Sequence, residues 1–506
     1  MRKAISAAVA AAIYLGAAAE GYQVNTFSAR QEGMGHVGVA MKLGAESQIF
    51  NPAGLSLSRK VIDFSGSISA IKATATATHE GKEYTTSNKI STPMNVSAAF
   101  RVYDNLYAGV TVYTPYGSSI NWGKNWPGAV LNQSVDLKVF TVQPTISWNI
   151  LPNLSIGAGL MISWGSVNLN KALAPSDNFG NLVELVNESN RLKHQAAILE
   201  GIVTGNPVQT PAPEEIRYTD NGVPPASVNL SGKSEIAVGI NAGIMWDITD
   251  RWTAGASFRS KMNMKVKAGD ARVEYNDEVA RALLSSTLDH LNTTNFSASM
   301  PCPYVFSVGV SYKPFRDLII AFDAQLNGWG TYKQLDIEFD HLPEFDQNLK
   351  KDYHNAMTYH LGAQYSLTKR FDLRAGLMID TSPCNTDYYN PETPGMTKIE
   401  PSVGFSFRPV GGLYIDVAFM YVHGLGTENG TGQYDDILAR SFNTNVAAYE
   451  KGVQQYNAAV ALANQMGLPL PSYQGKKFPT LKEQGTFSAK YATHAIIPAI
   501  GIRYAF

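Results

Sequence analysis

The sequence is short of charge. Asp, Glu, Lys and Arg make up 16% of its 506 residues, against roughly a quarter in an ordinary soluble domain. The formal net charge is −1, which leaves no electrostatic case for binding nucleic acid. Two cysteines occur, Cys302 and Cys384. They are too few for a disulfide framework and are expected as unpaired, buried thiols, with a single bridge between them as the alternative. Past the first nineteen residues there is no apolar run of about 18 residues or more, which argues against membrane-spanning helices. The His residues are scattered and no metal-ligand spacing appears. Gly411-Gly412 and Gly424-Leu425-Gly426 are lone clusters beside hairpins, not phosphate cradles. No catalytic residue, metal or cofactor is assigned, and the chain is not read as an enzyme.

What is present points to export and to lipid. Arg2 and Lys3 precede the apolar stretch Ala4 to Gly16, and Ala17-Ala18-Ala19 supplies small residues for cleavage, so residues 1–19 read as a signal peptide. Hydrophobic residues are 44% and aromatics 10% of the chain, with 25 Tyr. That mixture suits a wall with one face in lipid and aromatic girdles at both interfaces.

The wall is visible as period-two alternation. Ile236, Val238, Ile240, Ala242, Ile244 and Trp246 alternate with Ala237, Gly239, Asn241, Gly243 and Met245. Leu318 to Asn327 and Phe371 to Asp380 repeat the pattern, which places alternate residues on opposite faces of a sheet. Tight turns at Asp104-Asn105, Leu151-Pro152-Asn153, Thr249-Asp250, Phe315-Arg316, Lys369-Arg370 and Val410-Gly411-Gly412 alternate with longer polar connections. Those connections lie near residues 79–88, 118–132, 171–228, 269–295, 340–352, 383–397 and 426–486. Six short turns and seven long loops give about fourteen strands with both ends periplasmic, the pattern of an outer-membrane barrel. The expected fold is all-β: an antiparallel transmembrane barrel over residues 59–506, with long extracellular loops at 171–228, 269–295 and 426–486. Three of these loops carry helical periodicity, expected as short helices: Asn178 to Val203, Asn276 to Leu291 with Asn276 as cap, and Tyr434 to Met466.

Residues 20–58 have no clean period and carry Gly33, Gly35, Gly38 and Gly44, a composition that lets backbone pack closely. The order Gly21-Tyr22-Gln23, Phe27-Ser28, Gly33, Gly38 and Phe50-Asn51-Pro52-Ala53-Gly54-Leu55 resembles the N-terminus of the FadL/TodX family of outer-membrane transport proteins. A second block extends the likeness: Tyr113-Thr114-Pro115-Tyr116-Gly117, Trp122, Trp126-Pro127-Gly128, Ser134, Gln143-Pro144 and Leu154 to Gly159. Glu32 and Met34 to Val37 depart from the family's pattern.

The resemblance implies a plug inside the lumen, gated through Gly21, Tyr22, Gln23, Asn51, Pro52 and Ala53. It also implies an inward kink of the third strand at Tyr113, Pro115, Tyr116 and Gly117, with the Asn-Pro-Ala turn against it and a lateral gap beside it. Pro removes a ladder donor and Gly weakens a strand, which also fits ordinary punctuation at a strand end. Phe179, Leu182, Leu185, Val186, Leu283 and Leu284 on the loop helices are the expected capture residues, unless those stripes only pack on each other. Gly501, Tyr504 and Phe506 resemble the terminal signal read by the barrel assembly machinery.

The expected activity is passive outer-membrane uptake of hydrophobic molecules, long-chain fatty acids first and aromatic hydrocarbons next, by a monomer embedded in outer-membrane lipid. The alternative is a closed surface-binding or adhesion barrel, or a haem receptor.

Overall fold

The computed structural model describes residues 21–206 and 211–506; the expected signal peptide lies outside them. Fourteen antiparallel strands form a ring. They are β1 (Ile62–Ser69), β2 (Met94–Tyr103), β3 (Leu106–Asn121), β4 (Ser134–Leu151), β5 (Leu154–Ala172), β6 (Ala237–Asp247) and β7 (Trp252–Arg259). The circuit continues with β8 (Val305–Phe315), β9 (Leu318–Asn327), β10 (Ala356–Thr368), β11 (Phe371–Asp380), β12 (Lys398–Phe407), β13 (Leu413–Gly424) and β14 (Gln484–Ala505). Each pairs with the next, and β14 returns to β1 with Arg503 opposite Ser65.

The alternation divides the two faces of this wall. Ile146, Ile156, Leu160, Ile240, Phe306 and Ile500 point outward at 38–60% exposure, a burden that only a lipid environment relieves. Trp148, Trp246 and Trp252 sit on this outer face near the short turns, and Trp164 marks its far side. At the C-terminus Ile502, Tyr504 and Phe506 face outward, while Gly501 faces inward toward Ala29 and Ser67. Among the described residues no helix is long and apolar enough to cross a membrane.

The long connections differ from the sequence expectation. Eight further strands bring the sheet to 22. Lys72–His79 continues β1 along β14 without change of register. Met262–Tyr275, expected to turn to loop at residue 269, pairs with Ala226–Lys233 and Asn295–Cys302, with a register shift between Val266 and Gly269. Residues 118–121 likewise belong to β3. Above the lipid band the outward positions turn polar, so the pleat persists where its hydrophobic signature stops.

The loop helices are α1 (Ser176–Thr204), α2 (Glu278–Leu288) and α3 (Ile437–Gln465). α1 and α3 are 29 residues each, not short. Asp277 caps α2 by accepting from the Ala280 amide, where Asn276 was expected; Asn276 extends the preceding strand's hydrogen bonding through its amide to Pro225. Asp436 caps α3, and Tyr434 lies in the strand before it. The starts of α1 and α3 are tied by Asn178 donating to Asp436 at 2.5 Å, so the two helices rise side by side. Leu185, Leu192 and Leu199 meet Phe442, Tyr449 and Tyr456, a seven-residue spacing on both partners that suits a coiled-coil seam. Cys302 and Cys384 are buried and unpaired.

Residues 21–58 run inside the ring. Three one-turn helices, Ala29–Glu32, Ser47–Phe50 and Gly54–Leu57, carry this segment, and its residues contact inward side chains on strands around the circuit. Close approach requires missing side chains on the wall. A Cβ at Gly157, Gly255, Gly362 or Gly376 would lie 2.0–2.4 Å from inner-segment backbone. These glycines come in facing pairs: Gly157 opposite Gly243, Gly255 opposite Gly309 and Gly362 opposite Gly376.

Candidate functional site

The ring parts at one place. β2 and β3 pair up to Asn95 opposite Tyr113, and no further. On the other side of β3 the register with β4 shifts between Tyr113 and Tyr116. One extra residue there bends the strand, because two residues oppose one across the ladder. Pro115, with no amide hydrogen to donate, occupies the bend. Beyond it the free edge of β3 is taken by the start of the inner segment. Gln23 bridges Tyr116, the Val24 amide donates to the Pro115 carbonyl at 2.9 Å, and the Gly117 amide donates to the Tyr22 carbonyl at 2.8 Å. Residues 89–93 form the opposite side of the opening. Its top is closed where the Ser87 amide donates to the Asn121 carbonyl at 2.8 Å.

Tyr22 ties this edge to the lumen. Its hydroxyl donates to the Pro301 carbonyl at 2.5 Å. Its ring meets Trp329 edge-on at 4.9 Å, with Tyr116 and Tyr332 at 6.1 and 6.2 Å; such pairs each contribute about 0.5–1.5 kcal/mol beyond burial. Burial raises the Tyr22 hydroxyl pKa well above its ordinary range. Gly21 packs on the Trp329 ring, where a Cβ would sit at 2.9 Å.

The body of the inner segment is held by polar groups on the wall. The Asp323 carboxylate accepts from the amides of Gly38 at 2.6 Å and Val39 at 2.9 Å. The His360 ring bonds the Gly35 carbonyl at 2.8 Å, and the Gly35 amide donates to Ser402 at 3.0 Å. Gly35 and His36 both have positive φ, which aims these backbone groups outward at the wall. Buried within the segment, Glu32 is pushed up to about 8 by desolvation, with Glu400 adding to the rise and the Ser69 hydroxyl opposing it. His36 is pushed down to about 3 by burial and by His360.

The Asn-Pro-Ala turn lies elsewhere than the resemblance implied. Asn51 donates to the carbonyls of Val39 at 2.8 Å and Ile244 at 3.0 Å, and the Ala53 carbonyl accepts from Ser147 and Ser155 at 3.2 and 2.7 Å. The turn therefore rests on β4, β5 and β6, where Gly157 and Gly243 admit it. Tyr22 to Val24 are the residues on the bend of β3.

Above the inner segment is a small apolar cavity of about 50 Å³, lined by Leu137, Val139, Leu169, Val266, Phe296 and Ile337 among others. Leu137 also lines the opening beside β3, so the two spaces share a wall residue. Lys171, two residues beyond Leu169 on the same face of β5, is 3% exposed. Its ammonium donates to Gln347 at 2.8 Å, and no carboxylate among the described residues lies within ion-pair distance. Lys351, by contrast, is buried against Glu392.

The expected capture residues divide. Phe179 and Leu284 are buried in the large cluster that includes the cavity wall, with Leu182 and Leu283 packed against it. Leu185 is enclosed between α1 and α3, and Val186 is half-buried. Asp323, Lys171, Leu137 and the paired glycines were not singled out by sequence reasoning. Their signal was present only as inward positions in alternating strands. Among the described residues no group of His, Cys, Asp or Glu is arranged to hold a metal ion.

The comparisons agree with this architecture. The model of the family described as outer membrane protein transport protein (OMPP1/FadL/TodX) matches residues 8–458. A putative outer membrane protein of Neisseria meningitidis serogroup B is 25% identical over 429 residues, covering 80% of this chain and 86% of the relative. Outer membrane protein P1 of Haemophilus influenzae is 20% identical over 330 residues, 64% of each chain. Among solved structures, a Pseudomonas aeruginosa FadL homologue superposes with a TM-score of 0.69 at 16% identity, covering 96% of this chain and all of that one. The Pseudomonas putida toluene transporter TodX gives 0.60 at 14%, with 96% and 100% covered. These two likenesses speak to the fold alone. The chain belongs to the OMPP1/FadL/TodX family: it is an outer-membrane β-barrel of a family of channels for hydrophobic compounds, not of enzymes.

Proposed function

We propose that the protein carries long-chain fatty acids passively into the outer membrane. A solute entering from outside is captured among the loop helices and the cavity lined by Leu137 and Phe296. Displacement of Tyr22 to Val24 from the bend of β3 opens the way past Leu137, and the solute leaves sideways. Lateral exit has a physical rationale: an acyl chain gains nothing from the aqueous periplasm when it can pass directly into other acyl chains. The observation that carries this reading is the parting of β2 from β3 with the edge of the inner segment filling the space. A closed adhesion barrel or haem receptor requires a wall without that parting.

Lys171 favours an acid over a hydrocarbon. A buried ammonium without a carboxylate partner is costly in an apolar site, and an acyl carboxylate arriving through the adjoining cavity supplies the missing charge. The test is uptake of labelled oleate and of toluene by cells carrying this channel alone. Lys171→Met is expected to lower oleate uptake by roughly tenfold or more, the loss of one charged hydrogen bond, and to leave toluene entry unchanged. Equal effects on both solutes, or none on oleate, overturn the fatty-acid assignment.

A further inference from the structure

The outer rim carries an unneutralised basic patch that the transport route does not use. Lys261, just before the strand Met262–Tyr275, and Lys265 and Lys267 on it are exposed at alternate outward positions, and Lys233 is exposed at the end of Ala226–Lys233. The register brings them together. Lys233 stands opposite Ser166 on β5, and the Glu235 amide donates to the Lys265 carbonyl at 2.8 Å. Glu235 pairs with Lys267 at 2.5 Å. Lys233, Lys261 and Lys265 have no carboxylate within ion-pair distance among the described residues. Three exposed lysines elsewhere on the outer side are neutralised: Lys124 by Glu274, Lys138 by Asp136 and Lys490 by Glu428.

The height of the patch identifies its partner. Trp164 and the exposed Ile236, Val238 and Ile240 mark the upper part of the lipid-facing band. The Ser260 amide donates to the Ile240 carbonyl, so Lys261 stands beside that band, close enough for its ammonium to snorkel upward. Lys233 and Lys265 lie level with Gly165, one residue past Trp164, through the Ser234 amide donating to the Gly165 carbonyl. The lysines therefore occupy the layer of the outer-leaflet headgroups. An unpaired cation there meets fixed anionic charge, and basic residues at a membrane surface each add to the attraction for anionic lipid.

We propose that Lys233, Lys261 and Lys265 bind the phosphate groups of the outer-leaflet glycolipid, holding one lipid A molecule against β5 and β6. The full chain, purified in detergent, is titrated with diphosphorylated lipid A and with its dephosphorylated form, and bound lipid is read by native mass spectrometry. The phosphorylated form is expected to bind roughly tenfold or more tightly at low salt, with the preference shrinking as salt rises. The triple variant Lys233→Gln, Lys261→Gln, Lys265→Gln should lose most of that preference, whereas Lys369→Gln with Lys482→Gln should keep it. On the unaltered protein, diphosphorylated lipid A should shield Lys265 from an amine-acylating reagent, a readout that survives if the triple variant fails to fold. Equal binding of the two lipid forms, an undiminished preference in the triple variant, or no shielding of Lys265 overturns the proposal.

Discussion

Gln23 and Tyr116 form a single antiparallel bridge at the point where β3 loses its other neighbour. Three consecutive residues of the inner segment thus act as a short strand that can leave without breaking the ring. If this edge is the exit, the bend that exposes it is required. Deleting Pro115 removes the extra residue and lets β3 run in register with β4. Oleate uptake should fall to the level of cells lacking the protein, while heat-shifted gel migration still reports a folded barrel. Uptake at the original rate would show that solute leaves elsewhere.

Asp323 ties the wall to the inner segment through two adjacent amides. Hydrogen bonds to a charged acceptor are worth about 1.5–3 kcal/mol each. Asp323→Asn keeps the shape and removes the charge. Hydrogen exchange at the Gly38 and Val39 amides should accelerate by roughly tenfold or more, with exchange in β9 unchanged.

Gly376 tests the fit of the two surfaces. A Cβ there would stand 2.0 Å from the Gly35 nitrogen and 2.2 Å from the Met34 carbonyl carbon, and neither is the end of a flexible side chain. Gly376→Ala should destabilise the inner segment by about 1–3 kcal/mol or more, read as new protease cleavage within residues 21–58. Gly411, with nothing within 4 Å of its built Cβ, is the control: Gly411→Ala should be silent.

Glu32 gives the inner segment a pH dependence of known sign. Its pKa inside the barrel, raised from 4.5 to about 8, favours the protonated form. The stability it contributes is fully present below about pH 4.5 and is lost as pH rises through 8. Exchange of the Ala29–Glu32 amides, corrected for the intrinsic effect of pH, should therefore speed up between these limits. Glu32→Gln should flatten that rise, and an unchanged slope in the variant would assign the effect to another group.

Much of this was legible in the chain. The alternation in β6, β9 and β11 identifies the wall because lipid on one side demands apolar residues at every second position. The same rule explains where reading stopped. Along Met262–Tyr275 the inward Met264, Val266 and Ala271 continue, but the outward partners are Lys265, Lys267 and Asp270, and the bulge at Val266 to Gly269 breaks the period. The seven-residue spacing of Leu185, Leu192 and Leu199 is readable, yet nothing local says that its partner starts at Ile437. Lys171 and Asp323 are ordinary polar residues by sequence. Only the folded ring puts one beside an apolar cavity and the other against two bare amides.

The glycines facing one another at 157 and 243, 255 and 309, and 362 and 376 leave the inner chain no clearance. On three of these strands the inward residue two positions along is bulky again: Asn241 and Met245 on either side of Gly243, His360 before Gly362, Arg374 and Met378 on either side of Gly376. A cork of this shape is not threaded down the axis of a finished cylinder, because its backbone would have to pass those side chains. It has to be seated while the seam between the first and last strands is still open. Synthesis from the N-terminus delivers the parts in that order, stopper first and staves after.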